Sequence, residues 1–389
     1  MYGLREAGVL KQLFINPLFK LFTMSKVILF RGILLCSLFA VIFVNNAMSQ
    51  GTATAAPEEA KEEEKTSEAP FEISGFVDGY YLGSFNNAPF PTSFTPENKS
   101  FSLGMANIIL SKTGKVGFVA DLAVGPRAEL ANFYQGTALS YIKQLYVTYN
   151  PTEKLKFIMG NYSTHHCYEV IDSKSNFHYT TSYVFTNGPF YHTGIKAVYD
   201  FTDKFGIMVG VFNDTDTKID LVSGKHIGSQ LFYVDDKLSA YLNYTGGKST
   251  DAFEKNPSEF TTQIDLSTSY SLTDNFALGL NISKKSIKSS ANETKSWSGV
   301  VLYGKYILSD YLSLGVRGER FIDSDGLITG FEKNYINALT VSANIKIGNL
   351  TLIPEFRADT GNNTNTFTSL ENSLLKSTSG LLMAVVYTF

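Results

Sequence analysis

The sequence has few of the features that mark common soluble and helical membrane proteins. It contains two cysteines, Cys36 and Cys167, and one tryptophan among its 389 residues. Cys36 lies in an N-terminal apolar run that we expect to be removed, so one cysteine remains. This excludes an intramolecular disulfide and a multi-cysteine zinc site. After that run, no apolar stretch reaches the roughly 20 residues of a transmembrane helix.

Positive charge and enzyme motifs are also scarce. Without residues 1–49 the chain has 28 basic and 35 acidic residues, so nucleic acid is not an expected partner. The sequence "TGGKST" at 245–250 lacks the glycine spacing of a phosphate-binding loop. Cys167 lies in no recognisable nucleophile motif. We therefore predict no enzyme activity and no cofactor.

The first seventy residues predict export followed by a tether. From Met24, two basic residues precede a thirteen-residue apolar run at 32–44 and a small-residue cleavage site ending at Ser49. Residues 1–49 are therefore predicted to be a signal peptide with an upstream extension, and translation from Met1 or from Met24 stays open. Residues 50–70, rich in glutamate, predict an acidic disordered linker in the periplasm.

From residue 71 to residue 389 the pattern has period two. In "FALGLNIS" (276–283) large apolar residues alternate with Ala, Gly, Asn and Ser, and "LSLGVRGE" (312–319) alternates in the same way. Such segments predict strands with one apolar face and one small or charged face. A soluble β-array is the alternative, but it would need a second apolar face to pack against another sheet.

A repeated turn motif sets the predicted number of strands. "YNPTEKLKF" (149–157), "YDFTDKFGI" (199–207) and "YSLTDNFAL" (270–278) share a tyrosine, a Thr followed by an acidic residue, and a restarting apolar strand. Four similar sites raise the number of short turns to seven, and eight longer polar stretches alternate with them. We predict an all-β, transmembrane, antiparallel up-and-down β-barrel of about 16 strands, with 14 or 18 as alternatives.

Aromatic residues recur at fixed places in this pattern. A tyrosine precedes four of the short turns and is predicted to belong to an aromatic girdle at the membrane interface: Tyr149, Tyr199, Tyr270 and Tyr306. The C-terminal strand "GLLMAVVYTF" alternates so that Tyr387 and Phe389 face lipid, and we expect it to pair with the first strand. This ending resembles the C-terminal signal by which outer-membrane barrels are recognised for assembly.

One segment carries a family resemblance. Residues 160–201 contain Tyr168-Glu169 after a strand, then Asn176, "YTTSY" at 179–183, and "HTG" at 192–194. The segment resembles the signature region of the OmpL-like β-barrel porins of Gram-negative bacteria. The resemblance extends over residues 71–389 and implies an outer-membrane channel of unspecified solute.

The third long loop is the candidate constriction. In sixteen-stranded general porins this loop folds into the lumen, and the resemblance implies the same for residues 165–190. The candidate constriction residues are His166, Tyr168, Glu169, Asp172, Lys174 and His178. A zinc site made of these imidazoles and a carboxylate is the alternative, but its irregular spacing leads us to predict no metal.

Charged residues on the polar strand faces are expected to line the lumen, where they would meet water. The predicted lumen-wall residues are Asp121, Asp265, Lys305, Arg317, Glu319, Glu355, Arg357 and Asp359. We expect Arg317 to pair with Glu319, and Arg357 with Glu355 and Asp359. Such pairs could stabilise the wall, select solutes, or both.

These patterns together predict an outer-membrane porin of a Gram-negative bacterium. It would allow passive diffusion of small hydrophilic solutes through a water-filled barrel. The alternative is a structural or surface-binding barrel with a filled lumen and functional extracellular loops. The expected partners are the lipid bilayer, the barrel assembly machinery and the solutes. The sequence leaves the oligomeric state open, with a homotrimer as one candidate because porin trimers are common.

Overall fold

The computed structural model describes residues 70–133, 137–220, 224–249, 259–289 and 293–389. The predicted signal peptide and nearly all of the predicted linker lie outside the described residues. The described chain forms one closed antiparallel barrel of sixteen strands, which confirms the predicted fold class and strand number.

Each barrel strand pairs with its sequence neighbours, and the first strand pairs with the last. The barrel strands are β1 (Glu72–Ser84), β2 (Ser100–Lys112), β3 (Val116–Val124), β4 (Ile142–Thr152), β5 (Leu155–Ser163), β6 (Tyr191–Asp200), β7 (Phe205–Phe212), β8 (His226–Val234), β9 (Leu238–Ser249), β10 (Glu259–Thr273), β11 (Phe276–Lys288), β12 (Thr294–Ser309), β13 (Leu312–Asp325), β14 (Glu332–Ile347), β15 (Leu350–Gly361) and β18 (Ser377–Thr388).

Smaller elements lie in the long loops. The last loop contains a two-stranded hairpin of β16 (Phe367–Thr368) and β17 (Leu374–Leu375). The other small elements are helices α1 (Pro126–Asn132) and α2 (Tyr183–Thr186) and the 3₁₀ turns Ala138–Tyr141 and Ser173–Ser175. No helix in the described ranges is long and apolar enough to cross a membrane.

The repeated turn motif has a specific structural role. In three of the short turns the threonine hydroxyl accepts the backbone N–H of the residue three positions later: Thr152 from Leu155 (3.1 Å), Thr202 from Phe205 (3.0 Å) and Thr273 from Phe276 (3.0 Å). This bond satisfies a donor that the tight reversal would otherwise leave unpaired. All seven predicted short turns connect strands where expected, at one end of the barrel.

The strand alternation places apolar side chains on the outside of the barrel. In β18, Leu381, Met383 and Val385 are exposed, whereas Leu382 and Ala384 are buried. The four predicted girdle tyrosines also face outwards, each close to a short turn: Tyr149, Tyr199, Tyr270 and Tyr306. A closed sheet with this exterior leaves no unpaired strand edge in hydrocarbon.

The first and last strands pair to close the barrel, and a specific contact ends their pairing. Gly75 and Phe389 exchange two backbone hydrogen bonds of 3.0 and 3.1 Å. A Cβ at position 75 would lie 2.6 Å from the Phe389 ring and 2.2 Å from the Asn107 carbonyl oxygen. Glycine is therefore needed there for the terminal aromatic ring to lie against the first strand.

Candidate functional site

The third long loop, residues 164–190, is called the inner loop below. It leaves the wall after β5 and returns at β6, where Ser163 pairs with Tyr191. The Thr164 N–H donates to the Phe190 carbonyl oxygen at 3.1 Å and closes the base of the loop. The chain therefore leaves and re-enters the wall at neighbouring positions.

The inner loop contacts strands that are distant from its base. The Cys167 N–H donates to Asp265 on β10 at 2.7 Å, and the Tyr179 N–H donates to Glu355 on β15 at 2.8 Å. A segment anchored between β5 and β6 can reach the polar faces of β10 and β15 only through the interior of a closed barrel. The inner loop therefore lies in the lumen.

Wall carboxylates hold the loop by its backbone. Glu319 accepts the N–H groups of Tyr183 (2.9 Å) and Val184 (2.8 Å) at the start of α2, where Ser182 also caps the Phe185 N–H. Glu355 likewise accepts the N–H groups of two consecutive loop residues. Because these four N–H groups bond to side-chain carboxylates and not to backbone carbonyls of the loop, the charged acceptors satisfy donors that would be costly to bury unpaired.

Two wall arginines complete this network. Arg317 places Nη1 2.5 Å from Glu169 Oε1 and donates to the Thr180 carbonyl oxygen. Arg357 places Nε 2.9 Å from Asp359 Oδ1, and its Nη1 donates to the Thr181 carbonyl oxygen at 2.8 Å. Both guanidinium groups are almost fully buried, so their carboxylate partners compensate much of their desolvation.

The predicted pairing within the wall is correct in part for Arg357 and wrong for Arg317. Arg357 pairs with Asp359, as expected, but not with Glu355, which instead accepts N–H groups of the inner loop. Arg317 pairs with Glu169 of the inner loop and not with Glu319. Glu319 is already engaged by the two N–H groups at the start of α2, and the loop supplies the carboxylate that Arg317 needs.

The six predicted constriction residues all lie in the lumen and contact its wall. Four of them are buried, and Tyr168 and Lys174 are half-buried. Their contacts are His166 Nε2 to Thr245 Oγ1 (2.6 Å), the Tyr168 ring stacked on Tyr303 (4.2 Å), Glu169 to Arg317 (2.5 Å), Asp172 to Lys143 (2.7 Å), Lys174 over the Phe76 ring (5.5 Å) and His178 Nδ1 to Ser342 Oγ (2.7 Å).

The eight predicted wall residues face the lumen, and seven of them are buried there: Asp121, Asp265, Arg317, Glu319, Glu355, Arg357 and Asp359. Lys305 is exposed, with its ammonium 5.7 Å from the Phe177 ring of the inner loop. Lys346, on the polar face of β14, is also exposed. Both lysines lie towards the short turns, so the inner wall is accessible to water at that end.

Three important lumen residues escaped the sequence-based prediction. Arg127 of α1 lies between the Phe94 and Tyr179 rings, 4.6 Å from each centroid. Lys143 of β4 binds Asp121 and Asp172, and Asp78 of β1 lies 3.8 Å from Arg127. Strand alternation could have revealed Asp78 and Lys143, but no periodic signal marks Arg127 in its loop.

A group of histidines fills the lumen near the base of the inner loop. The His165 ring lies 4.6 Å from the His166 ring and 5.0 Å from the His192 ring. Burial lowers the pKa of His165 to about 3 and that of His166 well below its usual range, so both are neutral near pH 7. Across the described ranges, no three His, Cys, Asp or Glu side chains converge to hold a metal ion.

A family model and several solved structures are similar to this chain. The family model described as "Putative beta-barrel porin-2, OmpL-like" matches residues 70–389. No curated protein matches the sequence.

Solved structures share the fold at low sequence identity. The anion-selective porin of Comamonas acidovorans has 13% identity and a TM-score of 0.59, covering 83% of this chain and 100% of its own. The trimer form of OmpT from Vibrio cholerae has 11% identity and a TM-score of 0.56, covering 82% and 99%. The channel DcaP of Acinetobacter baumannii has 12% identity and a TM-score of 0.56, covering 84% and 99%. With its closed sixteen-strand barrel and the match over residues 70–389, this chain belongs to the OmpL-like beta-barrel porin-2 family of outer-membrane proteins.

Proposed function

We propose that the protein lets small hydrophilic solutes diffuse passively across the outer membrane, without covalent chemistry or energy input. The supporting observation is the inner loop, which crosses the barrel from its base at β5 and β6 to Glu355 on β15. A lumen narrowed by a fixed loop and bordered by charged side chains admits solutes by size and charge.

Solute selectivity in this proposal has two parts. The buried network around Arg317, Glu169 and Glu355 sets the position of the inner loop and thus the free cross-section. The water-exposed inward lysines, Lys305 and Lys346, set the electrostatic potential at the short-turn end. Two exposed cations at a pore entrance favour anionic over cationic solutes.

The burial of the loop also favours a second candidate function. Many residues that join the loop to the wall are almost fully buried, including Tyr179, Tyr183 and Arg357. A lumen filled in this way would suit a structural or surface-binding barrel that acts through its long extracellular loops. Solute flux distinguishes the two candidates.

The test is single-channel recording of the purified, folded protein in a planar lipid bilayer. The pore proposal predicts stable ohmic current steps. The negative control is the same preparation after boiling. Folding of the unboiled sample is verified on a gel, where the folded barrel migrates at a different position from the boiled protein. A folded barrel that stays silent in repeated insertions would overturn the diffusion proposal and favour the filled-lumen barrel.

Assembly and topology are further parts of the proposal. We infer a homotrimer, for which the trimer form of the similarly folded OmpT offers support. The N-terminal linker would lie in the periplasm, and Tyr387 and Phe389 would be read by the barrel assembly machinery. Mass measurement in mild detergent tests the trimer, because a monomer mass at all protein concentrations would contradict it.

A further inference from the structure

The outer surface of one side of the barrel carries cations near the long loops. Side chains directly opposite each other on paired strands share a face. Lys248 on β9 and Lys288 on β11 both lie opposite the outward, exposed Phe260 of β10. Both lysines are themselves exposed and therefore point outwards.

Two further cations follow the same rule. Lys284 lies opposite the exposed Ile264, and Arg320 on β13 lies opposite the exposed Val300. Both are exposed and outward-facing. The four residues, called the basic patch below, are Lys248, Lys284, Lys288 and Arg320.

The position of the basic patch along the strands is specific. Lys248 is the last residue but one of β9, Lys288 ends β11, and Lys284 and Arg320 lie within the loop-side half of their strands. In bacterial outer-membrane barrels the long loops are extracellular and the short turns periplasmic. The basic patch therefore lies at the level of the outer leaflet.

Charge on this surface is of one sign. At the outward positions of β9, β10, β11 and β12 that the structure describes, there is no carboxylate. The outward positions of β6, β7 and β8 are uncharged. The patch cations therefore have no acidic neighbours at the described outward positions of β9 to β12 and no charged counterparts on β6 to β8.

Arg320 is held in place on the outer surface by two neutral side chains. Its guanidinium carbon lies 3.5 Å from the Tyr335 ring centroid, and its Nη1 donates to Asn337 Oδ1 at 2.9 Å. Both partners are neutral, so the positive charge is not compensated by them. A lipid-facing cation is costly at the membrane midplane and much less so near the interface, so four together favour a layer that contains anions.

We propose that the basic patch binds the phosphate groups of a phosphorylated, acylated glycolipid of the lipid A type in the outer leaflet. Lys248 and Lys288 are separated by two strand spacings, roughly 10 Å, so they can contact separate phosphates of one headgroup. The outward Ile264 and Val300 lie beside the patch, and Ile282 lies further towards the membrane centre, so these residues offer an apolar surface for the acyl chains.

The experiment measures binding of diphosphorylated lipid A to the folded, full-length mature protein in detergent, by native mass spectrometry. The test variant is Lys248→Ser/Lys284→Ser/Lys288→Ser. The control is Lys154→Ser/Lys204→Ser/Lys237→Ser, which removes three exposed lysines from the short turns at the opposite end. At about 1 kcal/mol for each lysine, the test variant should bind roughly a hundred-fold more weakly, and the control should match the wild type.

Two results would overturn the proposal. One is unchanged affinity of the test variant, and the other is equal binding of dephosphorylated lipid A to the wild type, which would indicate attachment through acyl chains alone. If the test variant does not fold, the salt dependence of lipid A binding to the wild-type protein still tests the proposal. Raising ammonium acetate, a volatile salt suited to native mass spectrometry, from 50 mM to 500 mM should weaken a phosphate contact strongly, and salt-independent binding would contradict the patch.

Discussion

Arg317 on the barrel wall and Glu169 on the inner loop form a buried ion pair, with Nη1 2.5 Å from Oε1. The two residues are 148 positions apart in sequence. The pair connects the loop to β13, far from the loop's base between β5 and β6, so it is one of the contacts that hold the loop inside the barrel.

Removing the carboxylate should release this connection. Glu169→Gln leaves the Arg317 guanidinium buried without its counter-charge, which should lower the free energy of unfolding by about 3 kcal/mol. We expect noisier and larger single-channel currents because the loop becomes less firmly held. Denaturant titration and bilayer recording measure the two effects.

The double variant Glu169→Gln/Arg317→Met serves as the internal comparison. It removes both charges and should recover part of the lost stability. Glu153→Gln, at an exposed residue of a short turn, should change stability by less than about 0.5 kcal/mol. Equal effects of Glu169→Gln and Glu153→Gln would show that the ion pair does not hold the loop.

Two buried tyrosines offer a matched test of the loop's hydrogen bonds. The Tyr183 hydroxyl donates to Asp359 Oδ2 at 2.7 Å, whereas the buried Tyr303 hydroxyl has no partner among the described residues. Tyr183→Phe should cost about 1 to 2 kcal/mol, and Tyr303→Phe should be neutral or slightly stabilising. Denaturant midpoints of the two variants check this difference, and a reversed order would contradict the assigned bond.

Acid should weaken the folded barrel through His165. Its folded-state pKa is about 3, lowered from 6.5 mainly by burial. Below pH 6.5 the unfolded chain takes up a proton that the folded chain does not, so stability falls progressively as the pH falls towards 3. Between pH 7 and pH 5 this residue alone should remove about 2 kcal/mol.

The measurement is the midpoint of heat-induced unfolding, followed by gel mobility across this pH range. In His165→Gln the side chain does not titrate, so the midpoint temperature should fall less between pH 7 and pH 5 than it does in the wild type. An identical decline in both proteins would show that His165 does not contribute.

Ion selectivity should respond to the exposed inward lysines. Lys305→Glu/Lys346→Glu reverses two charges at the short-turn end of the lumen and should shift the reversal potential in a salt gradient towards cation preference. Stability should change little because both side chains are exposed to water. The control Lys204→Glu, in an exposed short turn, should shift the reversal potential less. Equal shifts in the two variants would show that Lys305 and Lys346 do not set the ion selectivity.

The terminal aromatic residue should matter for assembly. Deleting Phe389 removes its ring and the two backbone bonds to Gly75 at the end of the pairing between β1 and β18. We expect much less folded protein in the outer membrane, measured by gel mobility of membrane fractions. Phe389→Ala keeps the backbone bonds and isolates the contribution of the ring. Normal levels of the deletion variant would contradict the assembly signal.

The wall could be predicted from sequence because each of its features is local. Period-two alternation placed Glu355, Arg357 and Asp359 on one face, and the repeated Thr turns marked the hairpins that set sixteen strands. The partners of these charges could not be predicted in the same way. Arg317 pairs with Glu169 and not with Glu319 because the inner loop brings Glu169 close to it. The path of an irregular loop leaves no periodic pattern in the sequence, so this pairing could not be predicted.

The inner loop's base has a consequence for the origin of different pores. Since Ser163 and Tyr191 are adjacent in the wall and the loop closes on itself between them, its sequence can change in length and composition without altering the strand register. The barrel wall and the inner loop can therefore vary independently in sequence. Exchanging residues 164–190, together with the few wall residues that contact them, would give the same barrel a lumen of different size and charge.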